Sequence, residues 1–92
     1  MLTALLPVLP AAAYDMGKVG EYQTVSAGWS YTVAIKTDGS LWTWGSNSYG
    51  QLGDGTTNSK YSPIKIMDNV VAVSAGGRHA AAIKTDGSLW TW

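Results

Sequence analysis

Cysteine is absent from the 92 residues, which removes disulfide frameworks and thiolate metal sites without fixing the redox compartment. Phenylalanine is absent too, and the single histidine, His79, has no second imidazole with which to build a metal set. Charge is scarce and balanced, with five lysines and one arginine against six acidic residues. Duplex-DNA binders draw most of their non-specific affinity from phosphate neutralisation by a basic face, so nucleic acid is not an expected partner. The same scarcity removes the electrostatic pull towards a membrane surface. Long hydrophobic runs are missing as well. The apolar run from Leu2 to Leu9 is interrupted by Pro7, and no stretch is long enough to span a bilayer.

What is present is eleven glycines, five tryptophans and five tyrosines, with threonine well represented. That mixture suits packed β-structure rather than disorder. Residues 1–13, MLTALLPVLPAAA, read as a truncated signal peptide: the apolar run is followed by small residues at Ala11 and Ala13, but no positive stretch precedes it. Residues 14–21 read as a linker.

The remainder repeats itself. Displaced by 48 residues, Val25–Gly28 matches Val73–Gly76 and Ala34–Trp44 matches Ala82–Trp92, so fifteen of the twenty positions aligned from Val25 to Trp44 are identical. A period of that size signals a solenoid, a propeller or an array. Tyr31–Ile35 and Ser40–Trp44 are short β-rich runs joined by Thr37-Asp38-Gly39, a strong hairpin signal with Asp38 and Asp86 in turns expected to be of type I′ kind. A strand precedes each hairpin, at Tyr22–Ala27 and Val70–Ala75, and Pro63–Ile66 suits a short outer strand. Four strands per period is the arithmetic of a propeller blade. The expected fold is therefore all-β: one complete four-stranded blade over 22–69 and three strands of a second over 70–92. Since the second copy breaks off before its glycine-rich loop, the sequence is expected to be a piece of a longer product.

The stretch Gly45-Ser-Asn-Ser-Tyr-Gly-Gln-Leu-Gly-Asp-Gly55, followed by Ala75-Gly-Gly-Arg-His79, Asp86-Gly87 and Trp90, resembles the repeat of the regulator of chromosome condensation family. The likeness covers Tyr22 to Trp92, about three quarters of the chain, and departs from the pattern at Tyr31, where the family usually has histidine. It implies a β-propeller of about seven blades. Because the family's founding member is a guanine-nucleotide exchange factor, it also implies small-GTPase regulation as an alternative function.

Chemistry-bearing residues are few. Trp42, Trp44, Trp90 and Trp92 fit inter-blade packing better than a sugar platform. Trp29 follows the Gly28 bend where the second copy has Gly77, and is the one residue expected to touch a partner. His79, answered by Tyr31 in the first copy and unaccompanied by a nucleophile motif, suits a structural hydrogen-bonding role rather than acid–base chemistry. Asp38 and Asp86 suit turn formation rather than a glycosidase pair, which needs a defined separation. The glycine loop carries no P-loop lysine, and Asn47, Asp54 and Asn58 follow no calcium-loop spacing. No catalytic, cofactor or metal residue is expected. The function expected is a non-catalytic module of a larger secreted or surface propeller in a bacterium, binding a protein or a glycan. A carbohydrate-binding propeller is a further alternative.

Overall fold

The computed structural model describes residues 21–92. The leader expected over 1–13, and the linker expected over 14–21 apart from its last residue, lie outside the described residues. Seven strands follow in order: β1 Tyr22–Ala27, β2 Tyr31–Lys36, β3 Leu41–Gly45, β4 Lys60–Met67, β5 Val70–Ala75, β6 Ala80–Lys84 and β7 Leu89–Thr91. They form two antiparallel meanders, β1-β2-β3-β4 and β5-β6-β7. The fold is all-β, with no helix among the described residues.

The hairpin turn differs from the expected type. Gly39 has φ 88° and Gly87 φ 87°, whereas neither aspartate has a positive φ. The Gly39 amide donates to the Lys36 carbonyl at 2.9 Å, and the Lys36 amide to the Ser40 carbonyl at 2.9 Å. This is a type I turn followed by a left-handed glycine, the usual three-residue hairpin. The reason lies in Asp38, whose Oδ1 accepts from the Ser40 amide at 2.9 Å and the Ser40 hydroxyl at 2.6 Å. A right-handed backbone at Asp38 suits that grip; a type I′ turn would give it positive φ. The outer strand is longer than Pro63–Ile66. It runs from Lys60 to Met67 with two register shifts against β3. At a sheet edge, Pro63 is tolerated without an N–H.

Register decides which side chains meet the second sheet. Val33 pairs with Thr43 and Ile35 with Leu41, so these four share a face. Val33, Ile35, Leu41 and Leu52 are wholly buried there, in one cluster with Val70, Ala80 and Ala82 of the second sheet. The small alanines of β6 let the two sheets approach closely. Trp42 pairs with Ala34 and Trp44 with Thr32, which puts both indoles on the opposite face, away from the second sheet. There the Lys36 ammonium lies 4.0 Å from the Trp42 ring centroid, and Tyr22 packs 6.0 Å from Trp44. The tryptophan that packs into the interface between the sheets is Trp92.

Four polar ties fasten one sheet to the other. At the turn end the Val70 amide donates to the Gly39 carbonyl at 2.9 Å. On the inner strands the Ala75 amide donates to Ser26 Oγ at 3.0 Å. On the outer side Trp92 Nε1 donates to the Gln51 carbonyl at 2.8 Å. At the opposite end the Tyr31 hydroxyl reaches the Gly76 carbonyl at 3.0 Å and also the His79 carbonyl.

Candidate functional site

The β1–β2 loop, the β5–β6 loop and the glycine loop that follows β3 all open at the end of the sheets opposite the hairpin turns. Glycine shapes the first two by allowing close approach. A Cβ at Gly28 would sit 2.7 Å from the Gly76 carbonyl oxygen and would also collide with the Tyr31 ring. A Cβ at Gly77 would sit 2.7 Å from the Trp29 indole. With both positions bare, Tyr31 lies over Gly28, and Trp29 lies over Gly77 in the loop of the neighbouring repeat.

Trp29 is 76% exposed despite that packing. Beside it, the Arg78 guanidinium lies 5.3 Å from the Trp29 centroid and 4.4 Å from the Tyr49 centroid. Tyr49, in the glycine loop, is itself 61% exposed. Three elements therefore meet in one surface cluster of two aromatic rings and a guanidinium. Sequence reasoning singled out Trp29 and missed Tyr49 and Arg78. One signal was available: in the alignment displaced by 48 residues Trp29 faces Gly77, next to the only arginine in the chain.

The glycine loop is held from within. Asn47 is fully buried, and its Oδ1 accepts from the Leu52 amide at 2.9 Å. Its Nδ2 donates to the Thr56 carbonyl at 3.0 Å, the Asn58 carbonyl at 3.0 Å and Asp54 Oδ1 at 3.1 Å. Asp54 Oδ1 also takes the Thr56 amide at 2.9 Å, and Oδ2 takes the Lys60 ammonium at 2.9 Å. Lys60 first, and then the Thr56 donors, hold the Asp54 carboxyl far below the usual carboxylate range. Asn47, Asp54 and Asn58 are thus brought together, but around an amide hub, with the Asp54 carboxylate turned to protein donors. The loop is well built for rigidity and presents Tyr49 on its surface.

His79 is exposed, and its ring packs across Gly76 as the Tyr31 ring packs across Gly28. Its side chain makes no hydrogen bond among the described residues; its backbone carbonyl takes the Tyr31 hydroxyl instead. The bonding role expected of the histidine is filled by the tyrosine at its repeat position. Burial raises the Tyr31 phenol above its ordinary pKa, so it remains a donor. Asp38 and Asp86 stand in equivalent turns, each lowered below the usual carboxylate range first by the hydroxyl of Ser40 or Ser88. Those serine hydroxyls in turn accept from Trp42 Nε1 at 2.8 Å and Trp90 Nε1 at 2.9 Å. Each Asp–Ser–Trp set ties a turn to its following strand.

Repeated meanders stacked through a shared face, with a glycine loop capping the outer strands, define a β-propeller repeat. The regulator of chromosome condensation (RCC1) repeat matches residues 38–83, and a second description of the same repeat matches residues 22–51. The chain belongs to the RCC1 repeat family. It is 40% identical over 42 residues to the ultraviolet-B receptor UVR8 of Arabidopsis thaliana, covering 46% of this chain and 10% of that protein. It is 46% identical over 39 residues to the E3 ubiquitin-protein ligase HERC2 of Homo sapiens, covering 42% of this chain and 1% of that one. Among solved structures, human WBSCR16 matches with a TM-score of 0.74 at 28% identity, over 79% of this chain and 20% of that chain. Prp20p of Saccharomyces cerevisiae matches with a TM-score of 0.68 at 25% identity, over 78% and 19%. The chain thus spans a fifth or less of the length of each of these proteins.

Proposed function

We propose that the chain is a non-catalytic, protein-binding part of a β-propeller, and that it engages its partner at the loop end. The observation that carries this reading is the convergence of Trp29, Tyr49 and Arg78 from three separate loops onto one exposed surface. Tryptophan, tyrosine and arginine are the residue types that dominate binding energy at protein interfaces. Relatives support the reading: Prp20p is described with its binding to Gsp1p and histones, and yeast RCC1 (Prp20) as bound by Kap60. The apolar leader at 1–13 favours a secreted or surface location. Small-GTPase regulation is a second reading; it rests on membership of the RCC1 repeat family, whose founding member is a guanine-nucleotide exchange factor.

The test is selection from a displayed random-peptide library on the full 92-residue chain, followed by rescreening on Trp29→Ala and Tyr49→Ala. Both residues are exposed, so the variants keep the fold. Binders should lose about tenfold or more in affinity on Trp29→Ala, as expected of a hot spot. Selected peptides that bind both variants as well as the parent would overturn the proposal.

A further inference from the structure

We propose that Arg78, stacked against Trp29 and Tyr49, reads a carboxylate, so that the loop end takes an acidic segment of a partner protein. This rests on the protein-binding reading above and narrows it to one chemistry. A guanidinium is weakly hydrated and stacks well on aromatic faces, and stacking leaves its N–H edge open to a planar acceptor. Here the stacking partners are present and the acceptor is not. Among the described residues Arg78 makes no side-chain hydrogen bond, and the two ion pairs are Lys60–Asp54 and Lys65–Asp68.

The distribution of charge favours the same partner. Glu21 and the turn residues Asp38, Asp68 and Asp86 lie at the hairpin-turn end of the sheets, remote from Arg78. The one described side-chain carboxylate at the loop end, Asp54, is already matched by Lys60. Among the described residues Arg78 is therefore a cation without an ion-pair partner, preorganised by two rings. A carboxylate entering edge-on would form paired charge-assisted hydrogen bonds. The exposed faces of Trp29 and Tyr49 would cover apolar residues beside that carboxylate. Polyanions such as nucleic acid fit poorly, because one arginine supplies little counterion release.

The probe is a fluorescein-labelled decapeptide of alternating glutamate and leucine, compared with the same peptide carrying glutamine for glutamate. Anisotropy is followed with the full chain at low and at raised salt. The acidic peptide should bind about tenfold more tightly than the amide peptide, and salt should erode the difference. Arg78→Gln should remove the preference. Arg78→Lys should keep only part of it, because an ammonium lacks the planar fork. Equal binding of the two peptides, or a preference that survives Arg78→Gln, would overturn the proposal. Library peptides that need Trp29 yet carry no acidic residue would overturn the carboxylate assignment alone; peptides indifferent to Trp29 would overturn the protein-binding reading with it.

Discussion

Asn47 and Asp54 show how a loop of glycines and short polar residues becomes rigid. One buried amide satisfies backbone groups from Leu52, Thr56 and Asn58, and one carboxylate gathers Thr56, Asn47 and Lys60. Because Asp54 titrates below its ordinary value in the folded chain, its bonds stabilise fully above the unfolded aspartate pKa and are lost as pH falls through the lower folded value. Followed by NMR, the Asp54 carboxyl carbon should therefore titrate below the reference of about 3.9. Lys60→Met should move that midpoint upward, since Lys60 is the largest cause of the depression. A midpoint at or above the reference in the parent chain would show that the hub does not form. The alignment of the two copies could not expose this arrangement: Asn47 is a candidate oxygen ligand by type, and only the folded loop makes its NH₂ group the centre.

At the scale of the strand and turn, contact and conformation make separable demands on glycine. Gly28 is bare because the Tyr31 ring and the Gly76 carbonyl occupy its Cβ position, whereas Gly55, at φ 82°, has nothing within 4 Å. Gly28→Ala should cost about 1–3 kcal/mol through overpacking, and Gly55→Ala about 1 kcal/mol through backbone strain. Tyr31→Phe should cost about 1 kcal/mol through the lost hydroxyl bonds, while His79→Tyr should change little, since the first repeat already carries tyrosine there. Thermal unfolding of the four variants in parallel checks the order; a larger loss at Gly55 than at Gly28 would show that the Tyr31 contact is not formed. The hairpins were legible in the sequence because Asp-Gly turns and alternating apolar residues are local signals. The turn type was not, because Asp38 works through its side chain. Nor was the outward aim of Trp42 and Trp44: period two says that they share a face, but only pairing across β2 and β3 says which. The Trp29–Arg78–Tyr49 cluster lay further out of reach, since its members come from loops whose meeting depends on how the sheets stack.

For the whole molecule, the two sheets leave different surfaces. The side chains of Val33, Ile35 and Leu41 are wholly buried on the first, while Ile83 and Leu89, the counterparts of Ile35 and Leu41 in the second repeat, are 42% and 67% exposed. An apolar sheet face of that kind favours association. Sedimentation of the 92-residue chain should show concentration-dependent growth in mass, and Leu89→Lys should suppress it. A monomer at every concentration would show that the exposed face is inert. The four ties between the sheets have a further consequence, which is kinematic. Set far apart, at the top, the bottom, the inner strands and the outer rim, the four ties oppose sliding, hinging and twisting of one sheet against the other. The angle between the sheets is therefore held by contacts that the two repeats make with each other. Any further repeat joined through the same contacts would turn by the same increment about the same axis, as treads turn about a newel post, carrying its loops to the end where Trp29, Tyr49 and Arg78 meet.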